Sequence, residues 1–166
     1  MNKWFSYSLV FIVLVVLQVM LFNHLQLAFV INTFPYIFVV ICCPNSMDNI
    51  ARTAVGFLLG LIIDMLCGTW GIHTVATTTA AFIQPGLLRL IALPEQLDRR
   101  VPSLLNMKWK FVEYVLFMVI IHHFLLFSLE AFDISLWYWV LLKTVISSIV
   151  TIGIVMLIDR ICNARG

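Results

Sequence analysis

Apolar runs close to the length of a bilayer crossing follow one another through this chain, with only short polar connections between them. Hydrocarbon about 30 Å thick needs ~20 apolar residues per helical span, and little sequence is left over once such runs are marked out. Composition agrees: of 166 residues, 63% are hydrophobic and 11% charged, where a soluble domain has about a quarter charged. Mean hydropathy is +1.07. The chain reads as one all-α, polytopic integral membrane domain over residues 1–166, with no separate soluble unit.

Division of the runs predicts about six helices: Trp4 to Asn23, Val30 to Cys43, Ile50 to Cys67, Ile72 to Leu93, Trp109 to Leu129 and Leu136 to Ile158. Proline, glycine or charge interrupts the sequence at Asn32 to Pro35, Pro44-Asn-Ser, Gly68 to Gly71, Pro94 to Pro102 and Glu130 to Ser135. The first run is long for a signal peptide and lacks a small-residue cleavage site, so it reads as a retained helix. With the N-terminus inside, Lys3, Arg52, Arg89, Arg99, Arg100, Lys108, Lys110, Arg160 and Arg165 all fall on the cytoplasmic side, and only Lys143 does not. Both termini are then cytoplasmic. Trp137, Tyr138 and Trp139 form an interfacial belt at the outer end of the sixth helix.

The basic loop carrying Arg99, Arg100, Lys108 and Lys110 suits anionic lipid headgroups or an acidic protein surface. A net charge of +2 without a phosphate-tracking stripe excludes nucleic acid as a partner. Cys42, Cys43, Cys67 and Cys162 lack metal or redox spacing and read as small buried apolar residues.

Asp64 stands out, because a carboxylate in or near hydrocarbon is costly and normally faces a protein interior, a cavity or a partner. Gly56 and Gly60 precede it as a GxxxG pair that admits a neighbouring helix, and Gly68 and Gly71 are assigned to helix packing with them. His73, His122, His123 and Lys143 join Asp64 in the outer half of the predicted bundle. Two arrangements account for this clustering. Either the groups satisfy one another, Lys143 offsetting Asp64 or Glu130 and the histidines bonding to backbone or hydroxyl groups, or they line an outward-facing cavity for a solute or a partner's segment. Neighbouring His122 and His123 point about 100° apart, so they do not serve one metal together, and no metal site or cofactor is expected.

In the fourth helix, Thr74, Thr77, Thr78 and Thr79 are suited to back-bonding and close packing, while Pro85 is expected to kink or loosen it. Glu113 has two candidate partners, Arg89 and Lys110. No phosphate loop, dinucleotide fingerprint, nucleophile elbow or paired-carboxylate spacing is present, so no enzyme activity is expected.

The run Gly56-x3-Gly60-Leu61-x2-Asp64 followed by Gly68-Thr69-Trp70-Gly71-Ile72-His73 resembles the bacterial rod shape-determining MreD family, as do Gln18, Pro35 and Pro44. At Gln84-Pro85 the chain departs from many members, which carry a basic residue before the proline. The resemblance covers essentially the whole chain. It implies a fold similar to the six-helix substrate-binding subunits of energy-coupling factor transporters. It also implies a non-enzymatic scaffold of the inner-membrane cell-elongation complex. Partners would be an MreC-type bitopic protein, an MreB-type filament, and the glycosyltransferase and transpeptidase that extend peptidoglycan. The rival is a vitamin-binding subunit of such a transporter. Those subunits resemble one another in an Ala-x-x-x-Ala coupling motif on the first helix, and Trp4 to Asn23 contains no alanine.

Overall fold

The computed structural model describes residues 13–18, 32–97 and 101–163. Most of the first predicted helix, together with Arg99 and Arg100 of the basic loop, lies outside the described residues. Residues 13–17 are helical, and the later elements are α1 (Phe38–Ile41), α2 (Asn49–Cys67), α3 (Ile72–Ile91), α4 (Leu104–Met107), α5 (Trp109–Ala131) and α6 (Trp137–Asn163). A single 3-10 turn, Pro35–Ile37, leads into α1. No strand occurs among the described residues. Three helices, α2, α5 and α6, are long and apolar enough to cross a membrane, which is compatible with a membrane protein. α3 has a similar length, but its threonines, His73 and Gln84 make it more polar.

α2 and α3 form an antiparallel hairpin whose helices make the most extensive contact in the fold, and α5 packs on both α3 and α6. Gly56 and Gly60 sit on that hairpin contact. A Cβ on Gly56 would lie 2.6 Å from Ala81 Cβ and 2.7 Å from the Thr77 carbonyl oxygen, so only hydrogen fits there. Gly68 and Gly71 act differently from the packing role expected of them. They have φ of 69° and 89°, with open space where a side chain would be. They turn the chain through left-handed backbone at the end of α2 and the start of α3.

The second predicted span is the main departure. Instead of a membrane-length helix from Val30 to Cys43, the described chain is irregular at 32–34 and helical only from Pro35 to Ile41. At 1.5 Å per residue, seven helical residues cover only ~10 Å. Tyr36, Ile37, Val40 and Ile41 are all 0% exposed, so this segment lies inside the bundle rather than in its wall.

A short interior helix leaves backbone donors and acceptors without helical partners, and each buried orphan is costly where no water reaches it. The surrounding helices answer with polar side chains. Gln18 Nε2 donates to the Thr33 carbonyl at 3.3 Å. The Asn32 N–H donates to Ser147 Oγ at 3.1 Å and the Phe34 N–H to Thr151 Oγ1 at 3.3 Å. At the other end, Tyr114 OH donates to the Ile41 carbonyl at 3.0 Å, and Gln84 Nε2 donates to the Cys43 carbonyl at 3.2 Å and to Tyr114 OH at 2.9 Å. The turn into α2 is clasped by Arg52, which is 1% exposed and whose guanidinium donates to the carbonyls of Pro44 and Met47, both at 2.9 Å, and to Asn49 Oδ1 at 2.8 Å.

Loss of one such partner strands a buried carbonyl. Tyr114→Phe is expected to destabilise the fold by about 1–3 kcal/mol. Equilibrium unfolding in detergent measures this. A double-mutant cycle with Gln84→Leu should give a non-additive result, since both side chains serve the same end of the segment.

Pro85 neither ends nor splits α3, which runs unbroken to Ile91. The threonines behave as their spacing suggests: Thr77, Thr78 and Thr79 hydroxyls donate to the carbonyls of His73, Thr74 and Val75 at 2.6, 2.6 and 2.8 Å. Glu113 pairs with Lys110 at 2.9 Å rather than with Arg89. All four cysteines are free thiols, and Cys43 is buried.

Candidate functional site: a closed polar core

The 3-10 turn projects Tyr36 into the centre of the bundle, where its hydroxyl lies 2.7 Å from His73 Nδ1 and 3.1 Å from His122 Nε2. A phenol hydroxyl has one proton, so it donates to one imidazole and accepts from the other. Nδ1 of His122 is buried and has no hydrogen-bond partner among the described residues. The neighbouring His123 is fixed in a different network. Its Nδ1 meets the Val119 carbonyl at 2.9 Å and its Nε2 meets Thr151 Oγ1 at 3.1 Å. A carbonyl only accepts, so the neutral ring carries its proton on Nδ1, and the Thr151 hydroxyl donates to Nε2 while accepting the Phe34 N–H. The Phe34 ring fills the space between these groups, its centroid 5.4 Å from both His73 and His123 and 6.3 Å from His122, in edge contacts.

Asp64 sits beside this core at 4% exposure. Its Oδ1 accepts the Thr69 hydroxyl and the His73 N–H at 3.2 Å, and its Oδ2 accepts the Thr74 hydroxyl and the Thr74 N–H at 2.8 Å. The helix α3 begins after Gly71, which has no side chain to cap it. Asp64 supplies the cap from the preceding helix, and a carboxylate at a helix N-terminus also meets the positive end of the helix dipole. Gly56, Gly60 and Asp64, spaced four apart, share one stripe of α2. The glycines bring α3 close and the aspartate closes over its first turn.

A second buried carboxylate does the same at the other end of the bundle. Asp159 in α6 accepts the Leu104 N–H at 3.1 Å, at the start of α4, and Asn163 Nδ2 at 3.0 Å. It is 2% exposed.

Lys143 belongs to neither group. Its Nζ lies 4.0 Å from Glu130 and 5.8 Å above the Phe127 ring, which resolves its expected partner to Glu130 and not Asp64. With the two side chains 29% and 45% exposed, this pair is held loosely. Charge reversal at Lys143 and Glu130 is expected to give a coupling below about 1 kcal/mol in a double-mutant cycle, and Lys143 with Asp64 none. Beyond α5, Asp133 accepts the Ser135 N–H at 2.8 Å, which holds its carboxyl below the ordinary carboxylate value. Of the basic loop, the described Lys108 is exposed and takes φ of 52° between α4 and α5, and Lys110 is engaged by Glu113.

Sequence reasoning thus names Asp64, His73, His122 and His123 as one outer cluster, and the structure brings them together, with the histidines bonded to phenol, backbone and hydroxyl groups and Lys143 set beside Glu130. Each is at most 4% exposed, so none is offered to a docked partner, and their hydrogen bonds run to backbone, hydroxyl and phenol groups rather than to Lys143. Tyr36, Tyr114, Thr151 and Asp159 complete the polar core and were not foreseen. Their one signal is a polar atom inside an otherwise apolar run. Among the described residues, no three His, Cys, Asp or Glu side chains are grouped to hold a metal ion. Chemically, the arrangement locks an irregular segment in place. Compared with protein-family models, curated proteins and solved structures, the chain matches none.

Proposed function

We propose that this chain is a non-enzymatic scaffold of the bacterial inner-membrane cell-elongation complex, as its resemblance to the MreD family implies. The observation that carries the reading is the stripe of Gly56, Gly60 and Asp64 with the turn at Gly68 and Gly71. Each of these residues, on which the resemblance rests most, serves the architecture of the hairpin through helix approach, a helix cap or a left-handed turn. A motif devoted to the shape of a hairpin suits a protein that works by presenting surfaces. In this reading the chain crosses the membrane six times with both termini cytoplasmic, the interior segment 32–43 standing for the second crossing, in a fold similar to energy-coupling factor substrate-binding subunits. Its partners are an MreC-type bitopic protein, an MreB-type filament and the peptidoglycan-building glycosyltransferase and transpeptidase.

The test is complementation in a rod-shaped bacterium depleted of its own MreD-type protein. Restored cell width and co-purification with the MreC-type partner are expected, with both lost in Asp64→Ala and Gly60→Leu. Spherical cells despite normal levels of the wild-type chain would refute the role. Tight binding of a vitamin by the purified protein would move it to the transporter class instead.

A further inference from the structure

We propose that the groove between α2 and α3, at the end of the hairpin away from Gly68 and Gly71, binds an acyl chain of an anionic phospholipid whose phosphate is held by Arg89. The groove has a volume of about 490 Å³ and is lined by Ile50, Thr53, Ala54 and Phe57 of α2 and by Thr78 and Phe82 of α3. That is within the ~300–1,000 Å³ of small-molecule sites. It exists because short side chains at Thr53, Ala54 and Thr78 lie between the rings of Phe57 and Phe82. The polar groups of the lining, Asn49 and the two threonines, are already engaged: Arg52 donates to Asn49 Oδ1, Thr53 donates to the Asn49 carbonyl and Thr78 to the Thr74 carbonyl.

The polar end of the site follows from helix periodicity. Thr78, Phe82 and Arg89 fall on one stripe of α3, with Arg89 seven residues or ~10 Å beyond Phe82. Gly86 lies between them, exposed and with no atom within 4 Å of where a Cβ would stand, so the track from groove to guanidinium is open. Arg89 is exposed and forms no ion pair among the described residues, while the carboxylate nearest to it in expectation, Glu113, is taken by Lys110. At the same end, the carboxylate of Asp48 is occupied in accepting the Ile50 and Ala51 N–H groups. An apolar channel leading to an exposed guanidinium with no ion pair among the described residues matches an amphiphile with one anionic head. A guanidinium binds phosphate through paired, charge-assisted hydrogen bonds. A partner helix could fill the groove but would leave that cation unanswered. The site does not depend on the proposed scaffolding role.

Native mass spectrometry of the full chain, released from nanodiscs containing equal phosphatidylglycerol and phosphatidylcholine, tests this directly. The wild type should retain phosphatidylglycerol in preference. Arg89→Gln should cut that preference by about tenfold, the effect of losing one charge-assisted contact. Thr78→Phe and Ala54→Phe, each filling the groove from a different helix, should abolish retention of both lipids without changing the melting temperature. Equal retention of the two lipids by the wild type, or wild-type retention in Arg89→Gln and either groove-filling variant, would overturn the proposal. So would a photocrosslinker at position 82 that captures protein in place of phospholipid.

Discussion

Asp64→Ala is expected to lower stability by about 3 kcal/mol, among the largest effects of any single substitution in this chain. The carboxylate accepts four hydrogen bonds, two from hydroxyls and two from the backbone N–H groups of His73 and Thr74. An exposed cap replaced by alanine costs about 0.5–2 kcal/mol. Here the carboxylate itself is buried and the His73 N–H it would leave behind is buried too, which raises the cost. Asp64→Asn keeps one acceptor oxygen but sets an amide NH2 against donors, so about half the loss is expected. Unfolding of the purified protein in detergent measures both. The ranking Ala below Asn below wild type separates capping from a mere requirement for polarity, and equal stability of all three would remove the cap from the account.

Gly60→Ala is the second, expected to cost about 2–3 kcal/mol by overpacking. Its Cβ would stand 2.5 Å from Thr74 Cα and 2.6 Å from the His73 carbonyl oxygen, with Thr77 Oγ1 closer still. Two of those atoms belong to backbone, which cannot rotate away, so α3 must move off α2. Because His73 and Thr74 are also the residues that Asp64 caps, that movement lengthens the capping bonds. Gly60→Ala and Asp64→Ala should therefore be sub-additive when combined. Gly86→Ala and Gly153→Ala are the controls. Both glycines have open space around them, and helix propensity alone predicts neutrality or a gain of up to about 1 kcal/mol. A neutral Gly60→Ala would mean that the hairpin is looser than described.

Hydropathy and break residues located four of the long helices well. Predicted Ile50 to Cys67 and Ile72 to Leu93 meet observed Asn49–Cys67 and Ile72–Ile91, and Trp109 to Leu129 and Leu136 to Ile158 meet Trp109–Ala131 and Trp137–Asn163. The apolar period carries that information because each of these helices shows a long apolar surface. The segment from Val30 to Cys43 defeated the same reasoning. It is just as apolar, since it lies inside the bundle, and hydropathy does not distinguish an interior from hydrocarbon. Its fourteen residues, with Pro35 inside and Pro44 at the end, were the available clue, because a run of ~10–14 is short for a crossing and common for a buried helix.

The polar core was legible only in part. Asp64 announced itself by charge, and the step of four from Gly56 to Gly60 to Asp64 put all three on one face. That the face caps the next helix depends on the tightness of the Gly68 to Gly71 turn, a matter of backbone geometry. The bonds of Phe34 to Thr151 and of Tyr114 to Ile41 join residues 117 and 73 positions apart. One sequence holds no record of such pairings. Lys143 is the converse case: its charge was plain, while its partner, Glu130 rather than Asp64, followed from which helix faces it sits between.

The interior segment is where the whole account can fail, because the buried polar side chains are explained by the backbone groups they satisfy. Hydrogen exchange of the full chain in nanodiscs, resolved at residues 32–43, measures this most directly. Protection comparable to the long helices is predicted, with Thr151→Val releasing the Phe34 amide selectively. Exchange at these amides as fast as in the surface connections would show an open, watered cavity in place of a closed core, and would contradict it.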